Sequence, residues 1–209
     1  MTVVHLETEA SHPDGAIKAE LSDGSSFFVL ADCLYKESAD YTGRELSAGE
    51  EEAFRFAAVC YKAEKAALRL IARAEQNSFG LTAKLVRHGF NTAVAKSVIS
   101  RLLDRNLLDD TRYAELWIRS RLASVKAPSP KWLLAGLSKK GIGKKCSLKA
   151  LEKVLDPETE YTLLLKYLSK ARFPESKELI SARTQLKHKG FSSTAVSRYI
   201  DSHQRENGV

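Results

Sequence analysis

The sequence predicts a mainly α protein: three tandem three-helix units in an elongated array, with a small β-rich extension at the N-terminal end. Three observations predict it. From Glu51 to Phe79 there is neither Pro nor Gly, and Phe54, Ala57, Ala58, Tyr61, Ala66, Leu68 and Ile71 return at near-helical spacing. A corner pattern of Leu, three mostly basic or polar residues, Gly and a large apolar residue occurs three times: Leu85–Phe90, Leu137–Ile142 and Leu186–Phe191. The first fifty residues instead carry short or alternating apolar runs, the signature of strands.

Residues 1–46 form the acidic β-rich extension. Val3, Val4 and Leu6, then Ile17, Ala19 and Leu21, then Phe27 to Leu30 are the strand runs, and Asp23-Gly24 between the last two is a hairpin turn signal. A small antiparallel sheet is expected, with Glu7, Glu9, Glu20, Asp23, Asp32, Glu37 and Asp40 solvating its open face or, alternatively, touching the basic body or repelling nucleic acid.

Residues 47–108 form the first helical unit and its lead-in helix. Ser47-Ala48-Gly49-Glu50 fits a capping box, in which Ser47 accepts from the backbone and Glu50 reaches back. The run to Phe79 is one long helix or two joined near Lys62. A short helix over Leu81–His88 stops at Gly89, and another follows from about Asn91 to Arg105.

Residues 109–155 form the second unit. Paired Asp109 and Asp110 precede an apolar run, and carboxylates suit the unpaired N–H groups and positive dipole of a helix start. Tyr113, Leu116 or Trp117, and Ser120 or Arg121 then return at helical intervals, with Tyr113 and Trp117 as expected core. Ala127-Pro128-Ser129-Pro130 is a rigid break before the short helix at Lys131. Residues 156–209 form the third unit, opened by Asp156-Pro157-Glu158 with proline in the first turn. Leu85, Phe90, Leu137, Ile142, Leu186 and Phe191 are expected core.

Charge is divided along the chain. Residues 1–50 hold 3 Lys/Arg and 10 Asp/Glu, and residues 51–209 hold 30 and 16, within a net charge of +7. Excess base over a helical body favours a polyanionic partner or an acidic protein surface, with a solvated basic face as the alternative. No apolar run approaches the roughly 20 residues that span a bilayer, and nothing at the N-terminus resembles a signal peptide. A cytoplasmic protein without membrane contact is expected, and a monomer. Cys33, Cys60 and Cys146 lack C-x-x-C spacing and read as separate small hydrophobes, while His5, His12, His88, His188 and His203 form no ligand pair. No metal or cofactor is expected.

No catalytic constellation is present: there is no phosphate-binding glycine loop, no nucleophile elbow, and no carboxylate pair outside helix caps. Asp109 and Asp110 point about 100° apart on a helix, so capping is favoured over ion binding. What stands out is a window without acid. From Leu116 to Leu151 there are nine basic residues, Arg119, Arg121, Lys126, Lys131, Lys139, Lys140, Lys144, Lys145 and Lys149, and no Asp or Glu. Solvated surfaces tend to mix signs, so a single-sign field points to a partner that neutralises it. Few amides lie in the window, which disfavours dense reading of base edges.

Leu108-Asp109-Asp110 followed by Tyr113-Ala114 and the run to Arg121, with the Leu137–Ile142 turn, and Arg73 with Leu81–Leu85 in the first unit, resembles the central signature of the RecX regulatory proteins of bacteria. The resemblance covers about Ala66 to His203. Ala127-Pro128-Ser129-Pro130 stands where that family usually has a glycine-containing linker, and the acidic extension lies outside the resemblance. It implies a non-enzymatic regulator, an inhibitor in recombination, DNA repair and the SOS response, that lies along the RecA–DNA filament and blocks its ATPase, extension and strand exchange. Single- or double-stranded DNA is implied as a weak or filament-mediated partner.

On this reading the partner surface is Arg119, Arg121, Lys131, Lys139, Lys140, Lys144, Lys145 and Lys149, with Arg87, Lys187 and Lys189 at the equivalent corners of the outer units. The alternative function is a direct DNA-binding module, because each short helix, glycine turn and third helix resembles a helix-turn-helix.

Overall fold

The computed structural model describes residues 2–7, 15–34, 41–171 and 179–206; Glu9, His12, Glu37 and Asp40 lie outside them. The chain divides into two compact units, Met1–Leu108 and Asp109–Val209.

In the first unit, strands β1 (Val3–Glu7), β2 (Ala16–Leu21) and β3 (Ser26–Leu30) form an antiparallel sheet in that order. The Asp23-Gly24 turn forms as expected. Gly24 takes φ 81, and Asp23 Oδ1 accepts from Ser25 N at 2.9 Å and Ser25 Oγ at 2.6 Å, which holds the Asp23 carboxyl below its ordinary range. The sheet buries Val3, Ile17, Ala19 and Val29 against Phe54 and Ala57 of helix α1 (Ala48–Arg73), together with Tyr41 and Leu46. The extension is therefore part of the first unit's core.

Helix α1 begins with the expected capping box: Ser47 Oγ accepts from Glu50 N at 3.4 Å, and Glu50 Oε2 accepts from Ser47 N at 3.0 Å. It is one unbroken helix, but it stops at Arg73 rather than continuing to Phe79. Gln76 Nε2 donates to the carbonyls of Leu70 and Ala74 at 3.3 and 2.9 Å, satisfying acceptors the helix end would leave open. Asn77 then caps α2 (Ser78–Arg87) by accepting from Gly80 N at 3.2 Å. Asn91 caps α3 (Thr92–Asp104) through Val94 N at 2.8 Å. Phe90, expected in the core, is only partly buried against it.

A carboxylate sits inside this unit. Glu64 is 2% exposed, and it accepts from Arg101 Nε at 2.9 Å and Arg105 Nη1 at 3.0 Å. Arg101 also pairs with Asp32, just after β3. At this position the acid of the extension touches the basic body rather than merely solvating the sheet.

The second unit contains α4 (Asp110–Ser124), α5 (Pro130–Lys139), α6 (Lys144–Val154), α7 (Pro157–Ala171), α8 (Leu179–His188) and α9 (Ser193–Glu206). Asp109 Oδ1 accepts from Thr111 N at 2.7 Å and Arg112 N at 3.1 Å, so the aspartate is a cap. Asp156 does the same for α7, accepting from Glu158 N and Thr159 N at 3.0 Å each. Ala114 and Ile118, one turn apart, are the fully buried residues of α4, whereas Tyr113 and Trp117 flank them and are only partly buried. Leu133, Leu137, Ile142 and Ala150 share one core with Leu164, Leu186, Phe191 and Val196, so the segments 109–155 and 156–209 pack around common side chains. The Gly190 corner seats on the start of α5: Lys131 N donates to Lys189 O at 3.0 Å, and a Cβ on Gly190 would lie 3.0 Å from Lys131 N.

Two outcomes test this packing. Glu64→Ala leaves two guanidinium groups around an emptied site and is expected to cost about 3 kcal/mol in urea unfolding, since breaking a buried charge network strands the remaining partners; a loss near that of a surface ion pair would show that the network is not buried in solution. Deleting residues 1–46 uncovers Phe54 and Ala57 and is expected to lower stability by on the order of 5 kcal/mol, read as a collapse of the first unit's amide-exchange protection.

Candidate functional site

The charge division becomes clearer when counted by compact unit. Residues 1–108 hold 13 Lys/Arg and 15 Asp/Glu, and residues 109–209 hold 20 and 11. The first unit is nearly balanced by its acidic extension, and the excess base belongs to the second unit. Two ion pairs of the second unit, Lys153–Glu115 at 2.9 Å and Arg198–Glu158 at 2.6 Å, engage cations outside the acid-free window.

Most of the window's cations fall in two places. One surrounds an aromatic stack. The rings of Trp117 on α4 and Trp132 on α5 lie 6.3 Å apart and 21° from parallel, and the Arg121 guanidinium sits 5.3 Å from the Trp117 centroid. Gly136 makes room for this: a Cβ there would lie 2.3 Å from Trp117 Cη2. Trp117 Nε1 is buried without a hydrogen-bond partner among the described residues, a desolvation cost of about 1–3 kcal/mol that ring stacking must offset. Trp132, by contrast, is 47% exposed. Lys131 beside it is exposed, and its backbone bond to Lys189 brings the α8–α9 corner, with exposed Lys187 and Lys189, to the same end of α5. Arg119 is exposed on the same helix but, two residues on, lies about 200° round it from Trp117 and outside this group.

The other group lies at the α5–α6 corner. Lys139 ends α5 and Lys140 is its C-cap, where the helix dipole favours cations. Lys144 and Lys145 occupy the first turn of α6, where it does not, and Lys149 follows about one turn later. Gly143 caps α6 without a side-chain hydrogen bond, whereas Asn91 caps α3 and Ser192 Oγ accepts from Ala195 N at 3.1 Å in α9. Two exposed lysines at the positive end of an uncapped helix are mutually repulsive and dipole-opposed. An acidic or phosphate-bearing partner relieves both terms at once.

Arg87 is exposed in the last turn of α2, in the first unit, whereas the other basic residues named belong to the second. Sequence reading singled out Trp117 but missed Trp132 and Gly136; the signal was a second tryptophan adjacent to a lysine, on a helix carrying a glycine away from its ends. Among the described residues, no group of three or more His, Cys, Asp or Glu could hold a metal ion, and no helix is long and apolar enough to cross a membrane.

No family model matches the chain. It is similar to proteins named "Regulatory protein RecX": 39% identical over 117 residues to that of Treponema pallidum (strain Nichols), covering 56% of this chain and 71% of the relative. The counterpart in Syntrophotalea carbinolica is 30% identical over 141 residues, covering 64% of this chain and 91% of the relative. A crystal structure of regulatory protein RecX has the same fold, with a TM-score of 0.59 at 21% identity over 96% of this chain and 98% of that one. The crystal structure of RecX from Lactobacillus salivarius aligns with a TM-score of 0.52 at 24% identity, over 70% of this chain and 97% of that one. Identity of this extent across most of the relatives' length, on a shared fold, makes this chain a member of the RecX family of regulatory proteins.

Proposed function

We propose that this protein is a non-enzymatic inhibitor of homologous recombination and DNA repair that docks on the RecA–DNA filament and blocks its ATPase, extension and strand exchange. The observation that carries this reading is the acid-free basic run of the second unit, part of which lies beside the stacked, half-exposed Trp132. A rigid aromatic next to cations is the composition of a protein-interface hot spot. Basic side chains lie within the three residues before each corner glycine: Arg87 in the first three-helix segment, Lys139 and Lys140 in the second, Lys187 and Lys189 in the third. A filament presents repeated protomers, so individually weak contacts at repeated corners act together. DNA is then met within the filament, chiefly through its phosphates.

Direct duplex binding is the second reading, favoured by the exposed Lys144, Lys145 and Lys149 on α6 after a glycine corner. Titration of a labelled duplex without RecA separates the two. Sequence-dependent binding at physiological salt would make α6 a groove reader, and its absence leaves the filament as partner.

Two substitutions test the surface. The quadruple variant Lys139→Glu, Lys140→Glu, Lys144→Glu and Lys145→Glu is expected to lose inhibition of single-stranded-DNA-dependent RecA ATPase by tenfold or more while keeping the wild-type circular dichroism spectrum; full inhibition by this variant would move the site elsewhere. Trp132→Ala is expected to weaken filament binding by about 2 kcal/mol, with Trp132→Phe retaining most of the affinity, as a buried aromatic anchor requires. Equal affinities of wild type and Trp132→Ala by fluorescence anisotropy would reduce the stack to a structural feature of α4 and α5.

A further inference from the structure

Cys33 and Cys60 stand far apart in sequence, and the fold brings them together. Cys33 ends a short 3-10 turn that follows β3, and Cys60 lies on the buried stripe of α1. Cys60 belongs to a buried apolar cluster against which Cys33 packs, and Ser97 Oγ of α3 lies 3.8 Å from Cys33 Sγ. The two thiols differ in access. Cys60 is fully buried, whereas Cys33 is partly exposed and lines an open cleft of about 580 Å³ with Gly15, Asp32, Ser97, Arg101 and Arg105. One sulfur faces solvent and the other waits directly behind it, which is the arrangement of an attacking and a resolving cysteine.

We propose that Cys33 and Cys60 are a redox modification site, in which a hydroperoxide entering the cleft oxidises Cys33 and Cys60 resolves it to a reversible disulfide. The Cys33 thiolate attacks the distal oxygen of the peroxide; the O–O bond breaks, water or an alcohol leaves with a proton, and Cys33 becomes a sulfenic acid. The Cys60 sulfur then attacks Cys33 sulfur, its proton leaves with the displaced hydroxyl as water, and the S–S bond forms. Two electrons pass from the thiol pair to the peroxide.

The local chemistry favours this order. Donation from Cys60 brings the Cys33 thiol down to about 7 against the opposing effect of burial, with Ser97 adding to the lowering. The Cys60 thiol is pushed well above its ordinary range by that same hydrogen bond and by burial, so it stays protonated until Cys33 has reacted. Glu64, one turn beyond Cys60, disfavours the thiolate, while the Arg101 and Arg105 guanidinium groups that line the cleft pair with that carboxylate. The disulfide would tie the end of the sheet to the middle of α1, opposing local opening of the extension.

The test is mass spectrometry of the full-length native protein treated with a small excess of hydrogen peroxide. The expected result is loss of two hydrogens, a non-reduced peptide map joining the Cys33 and Cys60 peptides with Cys146 still free, and reversal by dithiothreitol. In Cys60→Ser, and in Cys60→Ala should serine disturb the buried site, Cys33 is expected to stop at the sulfenic acid and be trapped by dimedone. Cys33→Ser is expected to give neither product. Oxidation of Cys146 ahead of Cys33, over-oxidation of Cys33 with no cross-link, or unchanged oxidation of the Cys33→Ser chain would each overturn the proposal.

Discussion

Each three-helix segment turns on the same backbone device, a glycine in the left-handed region whose flanking N–H groups close the end of the short helix. Gly89, Gly141 and Gly190 take φ 91, 77 and 90. Phe90 N, Ile142 N and Phe191 N then donate to the carbonyls of Leu85, Leu137 and Leu186 at 3.2, 3.1 and 3.2 Å. The glycine N–H groups donate one residue further along, to Val86, Ser138 and Lys187, at 3.0, 2.9 and 2.9 Å. These bonds satisfy carbonyls that a helix end leaves open, and they fold the large apolar residue back towards the buried leucine. A side chain with a Cβ pays about 1 kcal/mol for that conformation, so the glycine and the apolar residue after it are a single structural requirement. The direction of the following helix depends on it, and with it the position of every cation that helix carries.

The corner also explains why basic residues collect where they do. The last turn of a short helix is the negative end of its dipole, so Arg87, Lys139 and Lys187 are stabilised there at no cost to the core. In the central segment the cations continue past the glycine into α6, against the dipole and without a side-chain cap. Local energetics account for the first set and oppose the second. That opposition is the physical reason the proposed partner surface includes Lys144 and Lys145, because a partner's negative groups would supply the compensation that α6 lacks.

The device was legible in sequence because glycine, leucine and a large apolar residue at fixed offsets mean the same thing wherever they occur. Caps were legible for a similar reason: Ser47, Asp109 and Asp156 act on N–H groups two or three residues away. The end of α1 was hidden because Gln76 and Asn77 terminate it by side-chain bonds, without the Gly or Pro that sequence reading expects. Nothing in the sequence sets Glu64 apart between Ala63 and Lys65, and only the docking of α3 on α1 turns it into a buried acceptor for Arg101 and Arg105. Trp132 was obscured by its apolar neighbours Leu133 and Leu134, since hydropathy does not distinguish a tryptophan that is buried from one stacked at the surface. Contacts set within a few residues are readable; contacts set by the meeting of separate elements are not.

The acidic extension takes on a different meaning from these contacts. As a charge run it could have served to repel nucleic acid, yet Asp32 pairs with Arg101 and the sheet covers Phe54 and Ala57. Its acid brings the first unit to 15 Asp/Glu against 13 Lys/Arg, leaving the excess base on the second. Charge that pairs internally cannot also recruit a partner at long range, since neutralised groups contribute little field beyond a Debye length of about 8 Å. The unit that keeps its cations unbalanced is therefore the one in which the proposed partner surface is sought, whereas in the first unit Asp32 has its charge engaged in holding the extension to α3.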